Sequence, residues 1–199
     1  METIRGKMSQ YLDCNGLWSR LENYERVLLD LGTGDGRYVR TFAEQHPDWF
    51  VIGVDACREN LRAASRIALP NALFLIANAQ ALPQELYGSI AHVTINFPWG
   101  SLLKSLLTGE AALMSGLTQI SKPQMAIDIY LNGGALAEAG FSLETGTQCI
   151  YEHMNRHGWN IQIPYQIDCR LLQKFPTTWA KRLAYGRDPR AMALRGTIL

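Results

Sequence analysis

The chain has 199 residues, 47% of them hydrophobic and 19% charged, which suits one ordinary folded domain and excludes a disordered chain. No apolar run approaches the ~18 residues of a membrane span, and METIRGKMSQYLDCNG lacks a basic-then-apolar leader, so a cytoplasmic protein without membrane contact is expected. The net charge of +1 conceals an asymmetry: from Arg170 onward there are seven bases and one acid, leaving 12 bases and 17 acids elsewhere (19 − 7 and 18 − 1), so a +6 segment sits on a −5 body. Such a segment suits a polyanionic partner.

Residues 1–25 read as a small N-terminal extension with a helix near Leu17 to Asn23. Residues 26–199 read as one domain. Arg26 to Asp30 is a short apolar run ending in an acid, followed by glycines and a helix from Arg37 to about Gln45. Phe50 to Val54 is a second run, closed by Asp55, and a helix follows from Arg58 to about Ala68. Further strands are expected at Ala72–Ile76, Ile90–Ile95 and Met125–Leu131. Apolar runs alternating with helices predict an α/β fold, a mostly parallel sheet with helices on both faces. In the last third, a helix is expected over Gln148–His157, ended by Gly158. β-formers occupy Asn160–Leu171, a helix covers Trp179–Tyr185, and Ala193–Leu199 reads as a last strand. Two late strands with a short connection predict an antiparallel hairpin at the sheet edge, making seven strands in all.

Cys14, Cys57, Cys149 and Cys169 form no CxxC pair and read as reduced thiols. His153 and His157 have helical spacing, but Met154 stands where a zincin needs glutamate. No metal is expected.

The stretch DLGTGDGR, Asp30 to Arg37, lies at a strand-to-helix turn. Gly32, Gly34 and Gly36 allow a sharp turn and close ligand approach. The spacing is GxGxG. Arg37 stands beyond Gly36, where a dinucleotide fold would place its packing glycine, which disfavours a pyrophosphate cradle. Asp55 ends the next strand, and a carboxylate is a natural bidentate acceptor for a cis-diol. At the end of the fourth strand, NFPWG (Asn96 to Gly100) puts a tryptophan in a turn between proline and glycine. Arg58, Arg62 and Arg66 recur every four residues and predict one basic helical stripe.

The leading acid with GxGxG resembles motif I of the class I S-adenosylmethionine-dependent methyltransferases, a Rossmann-like fold. NFPWG occupies the place of their motif IV. Together, NFPWGSLL and FPTTWAKRLAYGR (Phe175 to Arg187) resemble the aminoglycoside-resistance 16S rRNA methyltransferases that modify N1 of a decoding-site adenine, adenine-1408, in the 30S subunit. The resemblance runs from about Arg26 to Arg187. It implies S-adenosyl-L-methionine as methyl donor and S-adenosyl-L-homocysteine as product.

The resemblance also implies residue roles. Asp30, Gly32, Thr33, Gly34, Gly36 and Arg37 belong to the cofactor loop. Asp55 and Ala56 face the ribose, and Ala79 and Gln80, within ANAQALP, border the adenine ring. Asn96, Ser101 and Thr177 complete the cofactor side. Trp99 and Trp179 sandwich the flipped adenine, with Phe97 and Pro98 shaping the same turn. Arg182, Arg187, Arg190 and Lys181 hold RNA, and the stripe of Arg58, Arg62 and Arg66 borders it. The sequence departs from the family in its short ALPNAL link, in Gln80, and in Asp188-Pro189. A monomer is the simplest assembly.

The expected step is displacement at a sulfonium methyl by the lone pair of adenine N1, which needs orientation but no general base. Alternatives are a tRNA methyltransferase, for example at guanine N7, a small-molecule methyltransferase, or a cofactor-binding module without activity.

Overall fold

A computed structural model of the chain describes residues 1–186 and 189–198. The elements in chain order are β1 (Glu2–Arg5), β2 (Met8–Tyr11), α1 (Cys14–Leu21), β3 (Arg26–Leu31), α2 (Arg37–Gln45), β4 (Trp49–Asp55), α3 (Arg58–Ala64), β5 (Ala72–Ile76), β6 (Ile90–Asn96), α4 (Gly100–Thr108), α5 (Ala111–Ile120), β7 (Ser121–Asn132), α6 (Gly133–Glu138), α7 (Leu143–Arg156), β8 (Asn160–Ile161), β9 (Tyr165–Ile167), α8 (Cys169–Lys174), α9 (Thr178–Ala184) and β10 (Ala191–Ile198). One sheet runs β2-β1-β5-β4-β3-β6-β7-β10-β8, with β9 also paired to β10. Its centre, β5-β4-β3-β6-β7, is parallel, and β1, β2 and β10 are antiparallel additions.

The parallel strands are legible in the sequence because both their faces are covered, so they carry nearly unbroken apolar runs. In β3, Val27, Leu29 and Leu31 join a core with α1, α4, α5 and α7, while Leu28 points to the opposite core with α2 and α3. A third cluster packs α8 and α9 against Phe97, Tyr130 and β10. Among the described residues, no helix is long and apolar enough to cross a membrane.

Three expectations change. The sheet has ten strands rather than seven, partly because residues 2–11 form a hairpin that extends it at β5. The late strands do pair antiparallel, but β9 and β10 are not joined by a short connection: α8 and α9 lie between them. Asp168 and Thr177 start those helices by accepting from the backbone N–H groups of Arg170 (3.0 Å) and Ala180 (3.0 Å). Finally, α3 stops at Ala64, so Arg66 lies beyond the helix expected to carry it. Arg187, expected to hold an RNA phosphate, lies outside the described residues, as do Asp188 and Leu199.

Because β3 is flanked by β4 on one side and β6 on the other, the strand order reverses there. A crevice opens at the carboxyl ends of strands at such a switch point.

Candidate active site

The crevice is a cavity of about 470 Å³. Its walls come from the glycine loop after β3, the end of β4, the turn after β5, the NFPWG turn after β6, and the start of α9. Asp30, Gly32, Thr33, Gly34, Asp55, Ala56, Ala79, Gln80, Asn96, Phe97, Pro98, Trp99, Ser101, Thr177 and Trp179 all line it. Gly36 and Arg37 do not.

Asp30 is 1% exposed. Its carboxylate accepts from the Thr94 hydroxyl (2.9 Å) and the Asn96 amide (2.7 Å), and the described residues give it no cationic partner. Burial raises its pKa from 3.8 to about 6; the Thr94 and Asn96 donors hold it from rising further, and the neighbouring Asp55 adds to the rise. The oxygen of the Asn96 amide is buried without a partner, and so is the Trp99 indole N–H. A buried carboxylate beside an orphaned carbonyl oxygen fits a cationic ligand, since uncompensated buried groups of this kind are costly.

Asp55 is already engaged. It accepts from the backbone N–H groups of Gly34 (2.8 Å) and Cys57 (2.8 Å) and from the Asn60 amide (3.2 Å). An ionised carboxylate has about four lone-pair positions, so a ligand hydroxyl finds one open and gains a second if Asn60 swings away. The Gly34 contact also ties the glycine loop to β4, as do Gly32 and Thr33, whose N–H groups both donate to the Val54 carbonyl (2.8 and 3.0 Å).

The glycines divide the work. Gly34 has φ +57°, and a Cβ there meets nothing within 4 Å. Gly36 has φ +66°, and a Cβ would lie 2.6 Å from the Ala64 methyl and 2.7 Å from the Phe74 ring. Gly36 therefore serves packing of α2 against α3 and β5, the role a dinucleotide fold gives its third glycine. Gly36→Ala is expected to destabilise the protein by about 2–5 kcal/mol, from left-handed strain and overpacking together. Gly34→Ala should cost only about 1–2 kcal/mol and chiefly weaken cofactor binding. Urea unfolding of both variants checks the order.

Gln80 lines the cleft, and its amide N–H groups are already taken by the Ser105 hydroxyl (2.9 Å) and Glu110 (2.6 Å). Ser101 of α4 also lines it, and Thr177 caps α9. Residues not singled out by the sequence pattern also line the cleft, notably Asp35, Asn60, Asn78, Ser105 and Thr178. Asp35 lies within DLGTGDGR and Thr178 within FPTTWAKRLAYGR. They meet across the cleft, the Thr178 hydroxyl donating to Asp35 at 2.5 Å, which fastens the start of α9 to the glycine loop.

In NFPWG the two aromatic residues differ in burial. Phe97 is 2% exposed and packs on Tyr130 and Phe175, with its N–H donating to the Tyr130 carbonyl at 2.8 Å. It holds φ +54°, a conformation that costs a bulky residue about 1–3 kcal/mol. That turn brings Trp99 to the cleft, where it meets Trp179 with ring centroids 5.1 Å apart and planes 31° apart. Trp179 is 45% exposed. The Arg182 guanidinium lies over its ring at 5.4 Å. Lys181 is exposed on α9, while Arg190 pairs with Glu144 of α7 at 3.4 Å. On the other flank, Arg58 is half-buried and donates to the Lys7 carbonyl and the Ser9 hydroxyl, and Arg62 pairs with Glu59 at 3.4 Å.

The chain as a whole has known counterparts. Residues 2–198 match the NpmA family, 16S rRNA (adenine(1408)-N(1))-methyltransferase. A 16S rRNA (adenine(1408)-N(1))-methyltransferase of Streptoalloteichus hindustanus is 32% identical over 88% of this chain and 88% of its own. The crystal structure of the 16S rRNA methyltransferase KamB superposes with a TM-score of 0.89 at 26% identity, over 100% of this chain and 99% of that one. A tRNA (guanine-N(7)-)-methyltransferase of a Synechococcus strain is 36% identical, but over only 35% of this chain. With residues 2–198 matching the family model and its fold matched over nearly its whole length, the chain belongs to the 16S rRNA (adenine(1408)-N(1))-methyltransferase family.

Proposed function

We propose a division of labour in which the floor of the cleft holds S-adenosyl-L-methionine and its rim holds a flipped adenine. The chain is an S-adenosylmethionine-dependent methyltransferase acting on N1 of adenine-1408 in 16S rRNA. When bound, S-adenosylmethionine would supply an electrophilic sulfonium methyl to the N1 lone pair, the positive charge passing from sulfur to the methylated base as S-adenosylhomocysteine becomes a neutral thioether.

The observation that carries this reading is a paired-tryptophan rim above a buried, uncompensated carboxylate. Asp30 and the free Asn96 oxygen meet the positive charge of the cofactor, and Asp55 takes the ribose. Trp99 and Trp179 take the two faces of the base. Arg182, held over Trp179, reaches the adjoining phosphate. Among the described residues, those lining the cleft include no His, Lys, Cys or Glu. None is required, because neutral adenine presents N1 as a lone pair and orientation supplies the acceleration.

Charge is segregated accordingly. Asp30, Asp35 and Asp55 line the interior, while α9 presents Lys181 and Arg182 outside. A cation is drawn inward and a polyanion is kept at the rim. The substrate is folded RNA in the 30S subunit, the enzyme acts as a monomer in the cytoplasm, and the modification confers aminoglycoside resistance.

Methyl transfer from labelled S-adenosylmethionine to purified 30S subunits, mapped by primer extension, tests this. The expected stop is at adenine-1408. Labelled tRNA, or no labelled RNA despite cofactor binding, would reject the reading.

A further inference from the structure

A second cavity, of about 280 Å³, adjoins the cleft. The two have Phe97, Trp99 and Trp179 in common, so the tryptophan pair is their shared wall. Helix α9 passes from one to the other: Thr178 and the cap Thr177 face the cleft, while Arg182 and Leu183, further along, line the second cavity. Its remaining lining comes from Asn132 and Gly134, at the junction of β7 and α6, and from Gly186.

Asn132 is the unusual member. It is 5% exposed, and its Oδ1 accepts from the Ala135 backbone N–H at 2.8 Å to cap α6. That cap commits the oxygen and leaves the Nδ2 amide, which has no partner among the described residues. A nearly buried amide donor without a partner is costly, and a ligand in the cavity can relieve it. A Cβ at Gly134 would lie 3.3 Å from the capping oxygen, so the chain beside the amide is kept free of a side chain.

The reaction decides what enters. N1 and N9 stand at opposite ends of a purine. For methyl transfer N1 must face the cofactor in the cleft, so the N9 end, with its sugar, leaves the tryptophan pair on the other side. There the second cavity offers aromatic and aliphatic walls, the Asn132 donor, and the exposed Arg182 guanidinium, held 5.4 Å over the Trp179 ring, for the phosphate that follows the sugar. We propose that this cavity holds the ribose of the flipped nucleotide, with the Asn132 Nδ2 amide donating to its 2′-hydroxyl. This rests on the reading that the chain methylates N1 of a flipped adenine. Asn132 is then a specificity-determining residue. The 2′-hydroxyl is what lets a protein tell RNA from DNA at one nucleotide, and ring stacking on Trp99 and Trp179 is blind to it.

The test presents the full chain with 30S subunits reconstituted from 16S rRNA that carries 2′-deoxyadenosine at the target position alone. Wild type should methylate these about tenfold to a hundredfold more slowly, in kcat/KM, than reconstituted all-ribose subunits, because the buried amide donor stays unpaired. Asn132→Ser keeps a capping oxygen for Ala135 on a side chain too short to reach the sugar. Its thermal midpoint and its affinity for S-adenosylhomocysteine should match wild type. Its rate on all-ribose subunits should fall to that of wild type on deoxy subunits, and the deoxy substitution should then cost it less than about twofold. Loss of sensitivity to one RNA hydroxyl reports the contact itself, which a purely structural role of the cap would not move. Equal wild-type rates on the two subunits would overturn the proposal whether or not the variant folds, as would a deoxy penalty undiminished in Asn132→Ser. Failure of wild type to methylate native and all-ribose subunits alike would overturn the methylation reading with it.

Discussion

Asp30→Asn should give a protein that, without cofactor at pH 7.5, unfolds at a higher temperature than the wild type and no longer binds cofactor well. Asp30 is buried, and its pKa is raised from 3.8 to about 6. The native state therefore holds a proton that the unfolded chain releases between those values. Stability from this group is complete below about pH 4, is lost as pH rises to about 6, and is level above. The loss at neutral pH is roughly 3 kcal/mol. Asparagine keeps an oxygen for the Thr94 hydroxyl and the Asn96 amide and carries no charge to desolvate. It forfeits the extra strength of bonds to an anion, so the net gain should be about 1–2 kcal/mol.

Cofactor binding reverses the sign. A cationic ligand favours ionised Asp30, so wild-type affinity for S-adenosylhomocysteine, whose ammonium remains, should climb from pH 5 to 7 with a midpoint near 6. In Asp30→Asn the affinity should fall about tenfold to a hundredfold and lose this pH dependence. Calorimetric titration between pH 5 and 8, with thermal unfolding of the free proteins, reads both effects. A variant less stable than wild type, or one with unchanged affinity, would show that Asp30 is not the ligand's counter-charge. The structure thus gives up stability to keep a charge ready at a buried position.

The chemistry of this site is readable in the sequence, but the direction of its side chains is not. The five parallel strands announce themselves as apolar runs, and DLGTGDGR and NFPWG name the cleft and its rim. What the sequence conceals depends on contacts between distant residues. Arg58 reads as part of an exposed stripe, yet Ser9, 49 residues away, binds it. Phe97 and Trp99 are alike in sequence, and only packing on Tyr130 and Phe175 turns Phe97 inward. Arg37 follows the glycines directly but stays out of the cleft lining, because Gly36 is turned toward Ala64 and Phe74.

Local signals also mislead in places. Helix α7 begins five residues before its expected start because Ser142 and Thr145 cap each other reciprocally. That box usually shows glutamate or glutamine at its third position, so a threonine there hides it. The β-formers from Asn160 to Leu171 are interrupted by Pro164 and by the Asp168 cap, leaving two short strands and a helix. The hairpin at residues 2–11 is two four-residue strands, one of them with no fully buried residue, too short to impose an alternating pattern.

Trp179→Ala should cut methylation of saturating 30S subunits by about tenfold to a hundredfold, from loss of about 1–3 kcal/mol of stacking, while binding to the subunit changes by less than threefold. The geometry explains the split. In the free protein the two rings stand 5.1 Å apart. A base stacked between them needs about 7 Å, two contact distances of ~3.5 Å. The pair must open by about 2 Å, giving up a ring–ring contact worth about 0.5–1.5 kcal/mol. Opening is then a step the base itself must drive, and Trp179, on the exposed side, is the ring free to move. Its removal abolishes the sandwich but leaves the phosphate contacts of the rim, so the loss falls on kcat. Trp179→Phe should recover most of the rate, since a smaller ring still offers a face. Trp99→Ala is a poorer probe, because Trp99 also packs against the main core and its loss should lower stability too. Single-turnover rates at saturating subunit separate the cases. Equal losses in binding and rate for Trp179→Ala would make that ring a docking contact only. An unchanged rate would mean that Trp99 alone holds the base, and the closed pair would then be packing at the mouth of the cleft rather than the closed form of its stacking platform.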